Sequence, residues 1–476
     1  MKALLGRDLN VINVGLEGFA ADIAAAGGQV THLSWAPPAG ADPALGWTLA
    51  GMIGDRRIEE ANRKAYERYL AAQPWLVDVM LARDAIPALG EGERRILHSG
   101  PPIAWASMCG PQKGAIAGAI LYEGWAGDLE TAERLAASGA VALEPCHAHG
   151  AVGPMAGVIS PSMPVWVVEN ATAGNRAFSN LNEGLGKVLR FGANSPDVLE
   201  RLRWLGGEFF TAMRAAVGAM KERDLKPLMA QALHMGDELH NRNAAASGLI
   251  FKRLALALLD CGLDPGVVRR ALAFVAGNDH FFLNISMAAC KSMSDAAQGV
   301  PFSSMATVMA RNGVNFGIRL SGTGDLWFEA PANPVDGLYF PGYSVEDAAA
   351  DLGDSAITET NGLGGFAMAA SPAIVQFVGG TPADATANSR RMLAITLGAN
   401  PAFTLPALNF AGTPAGIDAR LVADSGVLPI INTGIAHKKA GVGQIGAGIT
   451  TAPMACFADA LAALAQTLAT ENRRTS

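Results

Sequence analysis

At 476 residues the chain is long enough for several domains, and with 50% apolar against 17% charged residues it can bury a large core. The net charge of −7 argues against a nucleic-acid footprint, and 55 glycines with 26 prolines demand many special backbone dihedrals, as in a compact enzyme rather than a disordered scaffold. Five cysteines, at 109, 146, 261, 290 and 456, form no CxxC pair, so neither a disulfide framework nor a zinc ribbon is indicated and a reducing cytoplasm fits.

The start, "MKALLGRDLNVINVG", sets Arg7 and Asp8 before an apolar run and lacks the pattern of a cleaved signal segment. No apolar stretch reaches the ~20 residues of a membrane span. A soluble protein with neither membrane nor nucleic acid as partner is expected. "LNVINVGLEGFAADIAAAGGQVTHLSW" then predicts strand, glycine turn, helix and strand, a Rossmann-like βαβ unit. Its turn holds two glycines and falls short of the GxGxxG dinucleotide fingerprint, so no cofactor is expected. After the connection "WAPPAGADP", residues Ile58 to Leu89 are predicted mostly helical.

From Arg95 to Asn194, short apolar strands alternate with Gly/Pro turns and the amphipathic helix "DLETAERLAASG", which stops at Gly139. Ser195 and Pro196 are suited to the N-cap and first position of a helix, opening a helical run to about residue 290. Strand and turn patterns return afterwards, and "ACFADALAALAQTLATENRR" predicts a closing helix whose final charged residues fray. The expected class is α/β (α+β). Its layout is a Rossmann-like segment with a helical extension (1–90), a glycine-rich α/β domain (91–194), a helical domain (195–294) and a C-terminal α/β domain (295–476).

Several polar clusters could carry chemistry. "CHAHGAVGPMAGVISPSMPVWVVEN" begins with Cys146, His147 and His149, but C-H-x-H is no standard zinc spacing and no fourth ligand is nearby, so no metal is expected. His147 and His149 remain candidates for proton transfer, against the plainer reading of hydrogen-bonded histidines beside a buried cysteine. Gly153, Ser160 and Ser162 suggest a close-approaching loop, and the strand "VWVVEN" delivers Glu169 and Asn170 at its end. An ordinary capped strand is the alternative. "MCGPQKGAI" places Gly110 and Lys113 at a helix N-terminus, physically an anion site although not a Walker loop, with Cys109 as nucleophile or, more simply, a buried structural thiol.

"MGDELHNRNAAASGL" gathers Asp237, His240, Asn241, Arg242 and Asn243 as either helix caps or a substrate-facing rim. "GNDHFFLNISMAACK" sets Asn278 and Asp279 beside His280, the minimum for an oriented base. "MARNGVNFGIRLSG" offers Arg311, Asn312 and Arg319 as forks for carboxylate or phosphate, and "GDSAITETNGLGGFAMAASP" contributes Glu359 before a glycine turn. So many segments of this kind imply a site for a small polar, amide-bearing or anionic ligand.

Together with "NVGLEGFA", "SWAPPAG" and "GIAHKKAGVGQIGAGI", these segments resemble the YlbE/YahG family of bacterial proteins, long a domain of unknown function, one branch of which resembles the AllG subunit of oxamate carbamoyltransferase. The resemblance implies a subunit of a multi-chain enzyme of allantoin breakdown, working with FdrA-like and AllH-like partner subunits and with further copies of itself. That activity interconverts oxalurate plus phosphate with oxamate plus carbamoyl phosphate. The resemblance assigns no catalytic residues, and the S-x-R-T-R phosphate loop of familiar carbamoyltransferases is missing here. On the residues alone, Arg311, Arg319 or Arg242 is expected to hold carboxylate or phosphate. Amides near Gly110 and Gly153 would polarise the carbonyl, and His147, His149 or His280, with Glu169 nearby, would move the proton. Lys113, Ser160, Ser162, Asn170, Asn243, Asn278, Asn312 and Glu359 complete the expected binding set. The alternatives are a noncatalytic scaffold subunit or an amide-processing enzyme with another substrate.

Overall fold

The computed structural model describes residues 10–33 and 37–475. Arg7 and Asp8, and Ser34 to Ala36 of the proline-rich connection, lie outside the described residues. The chain has a mixed α/β fold. Strands Asn10–Val14 and Gln29–Leu33 pair in parallel through helix Glu17–Ala25, as the βαβ pattern predicts. The unit stays a two-stranded sheet. Its side chains remain largely outside, with Ile12 67% and Phe19 60% exposed.

Asp55 caps helix Arg56–Ala71 by accepting from the Arg57 amide. Here the structure departs from the helical expectation. Pro74–Leu81 is a strand, and only short helical turns, Ala82–Ala85 and Pro87–Gly90, follow it. A short apolar run after a proline fits a buried strand as well as a helix, and periodicity cannot separate them. This strand pairs antiparallel with Pro164–Asn170, which pairs with Arg176–Asn180, and Ala151–Val152 closes the sheet in parallel. A second sheet has the order Ala142–Pro145, Arg95–His98, Val158–Ile159.

From Pro196 the chain runs through consecutive helices to Ala296, with a π-type turn at Leu205–Phe209. The last of them, Phe281–Ala296, is buried for most of its length and joins the main apolar core; its Phe281 ring meets Trp166 of the first sheet edge-on at 5.7 Å. The C-terminal part holds an antiparallel sheet of order Phe328–Pro331, Asn315–Leu320, Ala306–Asn312, Leu352–Gly353. A further sheet runs Asp336–Tyr339, Gln444–Thr451, Ile430–Ala436. Helix Met454–Thr475 covers a second core with Phe316, Leu320 and Phe457. Among the described residues no helix is long and apolar enough to cross a membrane.

Candidate functional site

The short helix Ile357–Thr360 carries Glu359, whose side chain is completely buried. Its carboxylate accepts from the amides of Gly365 (2.9 Å) and Asn432 (3.2 Å), from the Thr358 hydroxyl (2.9 Å), and from His240 Nδ1 at 2.8 and 3.0 Å. Gly364 has φ +54°, and a side chain there would collide with this carboxyl, which is the physical reason for the glycine pair after Glu359. Burial works against the charge on Glu359, but His240, the Gly365 amide and the Arg311 charge outweigh it and hold the group below the usual carboxylate range. Facing a carboxylate, Nδ1 is the donor, and in the neutral ring Nε2 is then the acceptor. Nε2 makes no bond to the protein, and His240 lines a cleft.

His240 is held by the loop between helices Lys226–His234 and Ala244–Asp260. Leu239, buried and in the left-handed region at φ +68°, bends this loop, and the Glu238 carboxyl accepts from the amides of His240 (3.0 Å) and Arg242 (2.5 Å). A non-glycine residue at such a φ persists only where its surroundings hold it. Asp237 accepts from the Ala246 amide at the start of the next helix, and burial raises its carboxyl to about 6.

The cleft comprises two adjacent cavities, an outer chamber of about 210 Å³ and an inner one of about 20 Å³, whose linings share Asn241, His280 and Gln444. Arg242, Asn243 and Asp279 face the outer chamber; Arg190, His240, Ser355 and Leu283 face the inner. His280 caps helix Phe281–Ala296. Burial, then the neighbouring Arg190 and His240, depress it to about 4, so it is neutral near pH 7. A larger groove of about 700 Å³ along the edge strand Asp336–Tyr339 carries no His, Cys, Lys or Arg and has the chemistry of a surface recess only.

Residues 141–355 match the family model of the oxamate carbamoyltransferase subunit AllG. The chain is 46% identical to the uncharacterized protein YahG of Escherichia coli (strain K12) over 463 residues, covering 97% of this chain and 98% of YahG. The chain belongs to the AllG/YahG family. It is also 48% identical to the oxamate carbamoyltransferase subunit AllG of the same organism, over 86% of this chain and 98% of AllG. A crystal structure of a conserved protein of unknown function from Enterococcus faecalis V583 superposes with a TM-score of 0.84 at 48% identity, over 86% of this chain and 98% of that one. The stretch matched by the AllG family model contains Arg190, His240 and His280, while Glu359 lies four residues beyond it.

Of the residues expected from sequence, His280, Arg242, Asn243 and Glu359 meet at the cleft. The others are engaged elsewhere. Arg311 is fully buried and spends its guanidinium on Asp351 (2.7 and 2.9 Å), the Gly353 carbonyl (2.6 Å), Ser355 and Thr433. Arg319 pairs with Asp325 and lies over the Trp327 ring. Asn312 accepts from the Val314 and Asn315 amides and donates to the Pro101 carbonyl. His147 is buried 3.5 Å from Asp354, and burial lowers its pKa; His149 lies 2.5 Å from Glu144. Glu169 pairs with Arg176, and Asn170 accepts from the Gln73 and Thr172 amides.

Ser160 and the Ser162 amide both donate to Glu123. The Gly153 amide donates to Asp354, and Gly110 packs against the Lys438 carbonyl. Lys113 donates to the Ala106 carbonyl and sits over Trp105. Asn278 donates to Asn182, part of a carboxamide chain with Asn284 and Asn180 that braces the loop before Arg190. Burial raises the Cys109 thiol, so no thiolate is favoured there. Among the described residues no group of three His, Cys, Asp or Glu side chains could hold a metal ion.

Arg190, His240, Asn241 and Gln444 line the cleft but lie outside the set expected from sequence. His240 stood in a recognised cluster, but only its 119-residue-distant partner Glu359 distinguishes it from its neighbours. Arg190 is one cation in the apolar run "KVLRFGAN", and its position between glycines was the available signal.

Proposed function

We propose that this chain is a subunit of a carbamoyltransferase-type enzyme acting on a small amide-bearing carboxylate such as oxamate, with FdrA-like and AllH-like partner subunits, and that transfer takes place in the His240 cleft. The observation that carries this reading is the buried Glu359–His240 pair with a free imidazole nitrogen at a small polar cleft. Membership of the AllG/YahG family supports the class of reaction.

Carbamoyl transfer to oxamate forms a bond from the amide nitrogen to the carbamoyl carbon and breaks that carbon's bond to the phosphate oxygen. The nitrogen must also lose a proton. In this reading His240 Nε2 takes that proton, and Glu359 fixes the tautomer and stabilises the imidazolium that forms, the logic of an oriented general base. Asn241 and Gln444 offer carboxamides that complement an amide-bearing substrate, and Arg242 at the outer chamber is placed to meet phosphate. The test is oxamate-dependent consumption of carbamoyl phosphate by the three chains assembled together. Turnover that vanishes when this chain is omitted is expected; equal turnover without it would overturn the reading.

The longer match to YahG, 97% of this chain against 86% for AllG, favours a second reading, an amide-processing enzyme of the same chemistry with another substrate. Turnover of a different small amide acid in place of oxamate would select it.

A further inference from the structure

Arg190 is unlike the buried arginines of the C-terminal half. Its residue is 4% exposed, yet among the described residues no carboxylate lies within ion-pair distance. One guanidinium nitrogen, Nη2, donates to the Gly184 carbonyl at 2.9 Å; Nε is enclosed without a partner, and Nη1 bonds to nothing in the protein. The nearest carboxylate along the chain, Glu183, is occupied by the amides of Leu189 (2.8 Å) and Arg190 itself (3.2 Å). Arg311 and Arg420, by contrast, each meet an aspartate in a close pair. The Glu183 charge acts on the guanidinium only from beyond ion-pair distance; a buried guanidinium without a counter-ion in contact stays costly, and a bound anion would offset that cost.

Among the described residues the inner chamber that Arg190 faces has no aspartate or glutamate in its lining, and His280, at the start of a sixteen-residue helix, lines it too. The first amides of that helix are already bonded, to Asn278, Ser247 and His280, so the helix contributes its field rather than free donors. At about 20 Å³ the chamber has room for little more than one water, hence for a carboxylate-sized group, with the rest of a small ligand against His240, Asn241 and Gln444.

We propose that Arg190 and His280 form the seat for the substrate's carboxylate, so that the site selects small planar monocarboxylates whose amide end faces His240. This rests on the reading of the cleft as the transfer site and deepens it. Arg190 supplies the fork, and neutral His280 supplies a ring N–H.

Calorimetric titration of the full-length chain with oxamate and with its neutral ethyl ester tests the seat, using wild type, Arg190→Gln and Arg190→Lys, each checked by thermal melting. Wild type should prefer the acid to the ester. Arg190→Gln should weaken oxamate binding roughly ten- to a hundredfold, the loss of a charge-assisted fork, and leave the ester unchanged, with Arg190→Lys between. Undiminished oxamate binding by folded Arg190→Gln would overturn the seat while leaving the transfer reading intact. If wild type ignores oxamate but binds another small amide acid or 2-oxo acid in an Arg190-dependent way, the seat stands and the oxamate reading fails. Failure of every such carboxylate to bind wild type would overturn the seat.

Discussion

At the scale of the residue, the account turns on which polar groups are already satisfied. Arg311 looked from sequence like an anion fork, but its donors end on Asp351, Gly353, Ser355 and Thr433. In sequence Arg190 shows only its place between glycines, because an unpaired guanidinium is a property of three-dimensional surroundings. His240→Gln or Glu359→Gln should lower turnover of the assembled enzyme about 10²- to 10⁴-fold, measured at saturating substrates beside a melting curve that shows a folded chain. Protonation gives a second prediction. His280 is depressed to about 4 from its ordinary 6.5, so below pH 6.5 the unfolded chain binds the proton first. The stability involved is complete above 6.5 and is lost progressively as pH falls from 6.5 through 4, on the order of 3 kcal/mol. Asp237, raised to about 6, works the other way: its contribution is present below about 4 and is lost as pH rises through 6. The readout is therefore the difference between wild type and His280→Gln in denaturant melts from pH 7 to 4.5, in which the variant should show the flatter acid side.

At the scale of the element, Arg311 ties together strands that are distant in sequence. It sits on Ala306–Asn312 and reaches Asp351 and Gly353 beside the adjoining strand and Thr433 on Ile430–Ala436. Arg311→Met leaves Asp351 buried without its partner and should destabilise the chain by about 3–5 kcal/mol in denaturant unfolding. Arg190→Gln should cost far less stability, since it removes no pair. Helices with caps and amphipathic spacing were legible: Ser195–Pro196 does precede Pro196–Trp204, although the Ser195 hydroxyl donates to Asp197 instead of capping a backbone amide. The strand Pro74–Leu81 was not legible, because its apolar run lacks a clean alternation and is half-buried on both faces.

At the scale of the whole molecule, the mixed class and the succession of βαβ unit, helical run and later strands could be read from pattern. The site could not, because its parts come from residues near 190, 240, 280, 359 and 432, and no spacing rule links them. Glu359 and His280 were recognisable as polar residues beside glycine or aspartate; their meeting required the fold. No residue of Asn10–Leu33 belongs to any of the apolar cores, so a chain carrying Ile12→Ser and Phe19→Ser should melt within about 2 °C of the original by calorimetry.

Transfer at the chamber lined by His240, Arg190 and His280, with Glu359 behind the imidazole, is best tested by a crystal structure of this chain soaked with oxamate. The ligand should lie in the cleft, its carboxylate on Arg190 and its amide toward His240 Nε2. Oxamate bound at Arg319 and Trp327, or an empty cleft at ligand concentrations that saturate binding in solution, would contradict the account.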